Sequence, residues 1–203
     1  MTALAKPFNS SGVLTAAGLW LLLALAFGLA GLPHYLTPPL PQVVLFGLTA
    51  VLLLLFWKLP GFQAWALSVN VRALILIHVT RFVGFYFLWL YGRGELPGEF
   101  ALKAGWGDLA VAVTALLVVA LVSQRGKTGW TWIAWWNAFG LADILMVVVT
   151  AARVGMRDPA SMGAFLKLPL CLLLTFLVPI IIASHIVIFV RLWRSKGAGY
   201  PTV

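Results

Sequence analysis

The stretch NVRALILIHVTRFVGFYFLWLY, residues 70–91, decides how the whole chain is read. At 1.5 Å per residue it makes a helix of about 33 Å, enough to cross a hydrocarbon layer of about 30 Å. Yet it carries Arg72, His78 and Arg81. A charge at the bilayer centre costs at least about 2.5–3.5 kcal/mol, so a membrane reading obliges Arg81 to find a partner or a wet cavity. The rest of the chain leaves no soluble alternative. Of 203 residues 63% are hydrophobic and 9% charged, with a mean hydropathy of +1.03, where soluble domains carry roughly 45–50% and 25%. The fold class that follows is all-α, an integral membrane bundle.

Apolar runs bounded by charges, prolines and glycines give six transmembrane helices in one polytopic membrane domain, at about 13–32, 42–57, 70–91, 106–123, 130–153 and 168–193. The second is short, so it borrows a turn at either end. The segments 58–69 and 154–167 read as loops on the membrane surface. Gly28-Leu29-Ala30 resembles a signal-peptidase site, but the apolar stretch is long and Lys6 alone is a sparse n-region, so a retained helix is expected. Cleavage would leave five spans.

The net charge of +9 is explained by topology and calls for no nucleic acid. Lys6, Lys58, Arg72, Arg125, Lys127, Arg191, Arg194 and Lys196 fall on one side of a six-span chain. Arg93, Lys103, Arg153, Arg157 and Lys167 fall on the other, mixed with Glu95, Glu99 and Asp158. The first side is therefore cytoplasmic and holds both termini. Trp57, Trp65, Trp130, Trp132 and Trp193 are expected at that boundary, with Trp89 and Trp106 opposite. Cys171 is the only cysteine, which excludes an intrachain disulfide and a thiol metal cluster.

The polar residues inside the spans carry the functional information. Arg81 lies twelve residues before Arg93 and Asp143 ten before Arg153, which puts them about 18 Å and about 15 Å from the same surface. Matched depth predicts an ion pair between the third and fifth helices, read either as a clamp that fixes packing or as a gate. Asp108, after Gly105 and Gly107, sits a turn or so from the outer boundary in this reading, where it reaches water or caps its own helix. Asn137 is a polar neighbour on the fifth helix.

His78 and His185 come out at about 12 Å and about 9 Å depth from the cytoplasmic side. Two imidazoles at matched depth are what a bis-histidine haem b requires. The plainer expectation is that each bonds a backbone carbonyl or a side chain such as Asn137, Thr80, Thr175 or Ser184. His34 lies in a loop. Pro179 must kink the sixth helix or free a carbonyl one turn earlier, near Thr175. The pairs Ala24/Gly28 and Ala138/Ala142 permit close helix contact. Gly105-Trp-Gly-Asp108-Leu and Gly140-Leu-Ala-Asp143-Ile share a short pattern, read as coincidence because the flanks do not align. There is no Walker loop, zinc motif, serine elbow or dinucleotide fingerprint, so soluble-type catalysis is not expected.

With Arg81-Phe-Val-Gly84, Leu96-Pro97-Gly-Glu-Phe100, Ala104-Gly-Trp-Gly-Asp108, Trp136-Asn137, Gly140-Leu-Ala-Asp143 and Val178-Pro179 through His185 laid out, the chain resembles a group of uncharacterised bacterial polytopic membrane proteins. The resemblance runs from the third helix to the sixth and implies a multi-pass location in the bacterial inner membrane, with no activity to carry over. The first functional expectation is movement of a small solute or ion through a polar centre of Arg81, Asp143, Asn137 and Asp108. The alternatives are an electron carrier with haem b on His78 and His185, and an accessory subunit of a membrane complex or homo-oligomer. No metal and no resident cofactor are expected outside the haem alternative, and the lipid bilayer is the first partner.

Overall fold

Capping and breaking residues set the helix limits in the computed structural model of the chain, which describes residues 6–122 and 126–198. The side chain of Asn9 accepts from the Ser11 amide and opens α1 (Ser10–Leu29). Gly31, in left-handed backbone at φ 68°, turns the chain into the 3₁₀ segment Leu32–Tyr35. Prolines at the first positions start α2 (Leu40–Lys58) and α3 (Pro60–Ser68). Asn70 caps α4 (Val71–Leu76), which tightens into a 3₁₀ segment, Ile77–Phe82, and relaxes into α5 (Val83–Gly92). Then come α6 (Gly98–Val122), α7 (Gly126–Arg157), the 3₁₀ segment Ala160–Leu166, a π-helical turn at Leu173–Leu177 and α8 (Val178–Ala198). Among the described residues there is no strand.

Six stretches of the described residues are long and apolar enough to cross a membrane: Ser10–Leu29, Leu40–Lys58, Val71–Gly92, Gly98–Leu121, Thr128–Arg157 and Leu173–Arg194. The chain is a multi-pass, all-α membrane protein. Three departures from the sequence reading have physical causes. The segment expected as a surface loop after Lys58 contains α3, nucleated by Pro60. α6 starts eight residues before Trp106 because Pro97 precedes it and Glu99 sits in its first turn, where an acid favours the helix N-terminus. Trp130 belongs to the interior, against Val71 and Leu192, and not to an interfacial belt; Trp57, Trp132 and Trp193 are exposed as a belt requires. Of the basic residues used for orientation, Arg125 and the side chains of Lys127 and Lys196 lie outside the described residues.

The chain divides into two compact units, the first running to Val69 and from Asp158 to Ala183, the second from Asn70 to Arg157 and from Ser184 onward. In the first unit, Ala24 is the only buried residue of α1. Gly28 lies so close to Cys171 and Leu168 that a Cβ there would stand 2.8 and 2.9 Å from them. The close contact expected of the Ala24/Gly28 pair is made here. Pro179 cannot donate to the carbonyl of Thr175, and that oxygen accepts the indole N–H of Trp20 at 3.0 Å instead. The π turn immediately before Pro179 is the local distortion that accommodates the ring.

The second unit is held by an apolar cluster that includes Val71, Ile75, Val111, Ile133, Trp136 and Ile188. Glycine sets the spacing of α5 and α6: a Cβ on Gly84 would strike the carbonyl of Gly105, and one on Gly105 would reach the carbonyl of Gly84 at 3.1 Å. At the start of α6 and the end of α7, exposed Glu99 pairs with Arg157 at 2.5 Å and Arg153 at 3.7 Å.

Candidate functional site

The site is built where the third span changes its winding. In a 3₁₀ segment side chains three residues apart eclipse, so Ile77–Phe82 sets His78 and Arg81 in line on one face. Both are buried, at 0% and 1% exposure. Opposite them are α6 and α7. The guanidinium of Arg81 donates through Nε to Asp108 Oδ1 at 2.6 Å, through Nη1 to the carbonyl of Gly140 at 3.0 Å, and through Nη2 to Asp143 Oδ2.

The expected partnership of Arg81 with Asp143 is present, and Asp108 joins it as a full member. Its expected place near the outer boundary is corrected by the early start of α6: ten residues in from Gly98, it lies about 15 Å along the helix. It is 3% exposed and lies within α6, away from the cap of its helix. The two aspartates of the Gly-x-x-Asp pattern, read as coincidence, therefore converge on one cation. One guanidinium serves two carboxylates, giving a formal charge of −1 with both ionised and zero with one protonated. A buried charge retained at several kcal/mol of desolvation needs its counter-charges and hydrogen bonds in place, and Arg81 spreads three donors over three acceptors on two helices.

Glycine makes the approach possible. A Cβ on Gly107 would occupy the space of the Asp143 carboxylate. Gly140 has two roles: its carbonyl receives Arg81, and the space a side chain would fill holds the His185 ring, whose Cε1 would be 2.7 Å from a Cβ.

The second constellation adjoins the first. His78 and His185 are in ring contact, with centroids 4.3 Å apart, and Trp136 stands edge-on to His78 at 5.1 Å. His78 Nε2 is 3.1 Å from Ser184 Oγ. Asn137 locks His185 from two sides: its Nδ2 donates to the His185 carbonyl at 3.0 Å and its Oδ1 faces His185 Nδ1 at 2.8 Å. Because the amide nitrogen is committed to the carbonyl, the atom facing the ring is an acceptor, and Nδ1 carries the hydrogen. Two ring nitrogens, His78 Nδ1 and His185 Nε2, are buried with no hydrogen-bond partner among the described residues.

The plainer expectation for the histidines, hydrogen bonds to Ser184 and Asn137, is the one realised; Thr80 and Thr175 bond carbonyls of their own helices. The pair is not a haem cradle. The rings touch each other, leaving no gap for a macrocycle between them. Among the described residues no group of three or more His, Cys, Asp or Glu could hold a metal ion.

Sequence reasoning missed the glycine at 107 as a seat for a carboxylate, the Gly140 carbonyl and the 3₁₀ winding. The first could have been suspected from Gly105 and Gly107 flanking Trp106 one residue ahead of Asp108. The other two leave no compositional trace.

Fold and site define a class: a polytopic helical membrane protein with a buried, hydrogen-bonded charge centre. Residues 38–193 match a family described as a domain of unknown function, DUF8737, and the chain belongs to that family. The match begins just ahead of α2 and takes in every residue of the centre. No curated protein and no solved structure is significantly similar.

Proposed function

We propose that the chain moves a small solute or ion across the membrane by opening and re-forming the polar centre of Arg81, Asp108 and Asp143, with Asn137 beside it. One observation carries the reading: two buried carboxylates share one guanidinium. A clamp needs a single counter-charge. A second one creates alternative pairings of comparable energy, and a switch needs such a choice. The change of winding at Ile77–Phe82, on the residues that carry the cation, supports the same reading, since irregular helix inside a membrane recurs where ions and solutes bind.

We further infer the inner membrane of a bacterium as the location, with both termini cytoplasmic. Lys58, Arg72, Arg191 and Arg194 on that side, against the mixed charges around Glu99, support it. A fluorescent protein fused to the C-terminus should fold and fluoresce.

The test of transport is flux in proteoliposomes under imposed ion and proton gradients. The wild-type chain should conduct above protein-free vesicles, and Asp143→Asn and Asp108→Asn should lower the flux by about tenfold or more, as the loss of about 1.4 kcal/mol or more of coupling requires. Wild-type and variant vesicles indistinguishable from empty ones would refute the proposal.

A further inference from the structure

We propose that His78 and His185 together form a proton-binding site, taking up one exchangeable proton on one or the other of their two unpartnered ring nitrogens. The inference deepens the reading above and rests on it only for the purpose the proton serves.

The geometry gives one acceptor. With Nδ1–H of His185 donated to Asn137, its Nε2 keeps a lone pair, buried and without a donor. On the neighbouring ring, Nδ1 of His78 is likewise buried and unpartnered, while Nε2 is held by Ser184. Buried polar atoms in proteins nearly always have partners, so two orphans on rings 4.3 Å apart call for a common explanation. A metal ion is the wrong occupant: two nitrogens are too few ligands, and the rings, already in contact, leave no space between them. A proton needs no space. It bonds to one nitrogen or to the other, and with the rings in contact a second proton would set two cations side by side.

Charge balance supplies the second argument. The charged groups around the pair are Arg81, three residues on from His78 and bonded to the Gly140 carbonyl, together with Asp108 and Asp143 on that same guanidinium. With both carboxylates ionised, these three side chains sum to −1, and one proton on the imidazole pair brings the enclosed cluster to zero. A proton on either carboxylate, with both imidazoles neutral, also gives zero. The two neutral arrangements differ only in whether a carboxylate O–H or an imidazole N–H carries the proton. Transfer breaks the first bond and forms the second without changing the charge buried in lipid. In the carboxylate-protonated arrangement Arg81 keeps one anionic partner and in the imidazole-protonated arrangement two, so the proton's position sets the strength of the ion pairing.

The experiment is nitrogen-15 NMR of the full-length chain, labelled at histidine and reconstituted in lipid nanodiscs, with His34→Gln removing the third imidazole. As the pH is lowered from about 8, the nitrogens of His78 and His185 should shift together in one transition, with one proton taken up by the pair. Asp143→Asn, which neutralises one of the two balancing anions, should require about tenfold more protons for the same transition. Independent titration of the two rings with two protons taken up, or no change at the ring nitrogens of His78 and His185 in the His34→Gln chain, would overturn the proposal without any variant of the charge cluster having to fold. An unchanged transition in a folded Asp143→Asn chain would overturn the charge coupling. Flux without this transition would remove the histidines and leave transport standing, whereas the transition without flux would do the reverse.

Discussion

Replacing Arg81 by methionine should be the most damaging single change to stability that this chain admits in its second unit. The substitution keeps much of the side chain's volume and deletes the cation, so the enclosed cluster goes from −1 to −2 with both carboxylates ionised. Three acceptors lose their donor at once: Asp108 Oδ1, Asp143 Oδ2 and the Gly140 carbonyl. Breaking a buried pair by removing one partner costs about 3–5 kcal/mol, a large part of a total stability of about 5–15 kcal/mol. Asp108→Asn and Asp143→Asn are different in kind. Each keeps a carbonyl oxygen for Arg81 and moves the cluster from −1 to zero, so each should cost no more than about 1.5 kcal/mol, the net worth of one hydrogen bond. The triple substitution Arg81→Met, Asp108→Asn, Asp143→Asn should recover much of the loss. Reversible unfolding in mixed micelles, followed by hydrogen exchange of the backbone amides of the second unit, gives all five free energies. An Arg81→Met chain within about 1 kcal/mol of wild type, or an Asp→Asn chain as unstable as Arg81→Met, would show that the three side chains do not share one electrostatic centre.

Gly107→Ala should displace the Asp143 carboxylate and cost about 1–3 kcal/mol, as overpacking does; if the variant melts with wild type, that contact is not present in the bilayer. Trp20→Phe should strand the Thr175 carbonyl, at about 1–3 kcal/mol. Pro179→Ala restores a backbone donor, so the double variant should be less impaired than Trp20→Phe alone, and additive losses in a double-mutant cycle would refute that account. Glu99→Gln removes two exposed pairs and should leave stability nearly unchanged, with any difference vanishing in high salt. A larger or salt-insensitive effect would contradict its exposure.

Arg81 and Asp143 could be paired from sequence because helix rise converts residue number into depth, and depth is nearly all that a membrane leaves to decide along one axis. Asp108 was misread by the same arithmetic: Glu99 and Lys103 look like loop residues, whereas α6 takes them as its first turns and so carries Asp108 deeper. The histidine contacts with Ser184 and Asn137 were foreseeable as a class, since buried imidazoles seek side-chain partners. Their ring-on-ring packing was not, because it depends on the rotation of two helices about their axes. The freed carbonyl at Thr175 was implied by Pro179 alone. Its acceptance of the Trp20 indole links residues 155 apart in sequence, beyond the reach of local reasoning.

The tight winding of Ile77–Phe82 has a mechanical consequence. A 3₁₀ helix advances about 2.0 Å and turns about 120° per residue, against about 1.5 Å and 100° in an α-helix. Rewinding these six residues would therefore shorten the third span by about 3 Å and rotate its far half by about 120°. His78 and Arg81 would fall about 60° out of line, and the guanidinium could no longer meet both carboxylates while the imidazole stayed seated. Turning this screw would therefore break the charge cluster and swing the aromatic residues from Phe85 to Tyr91 around the span in one motion.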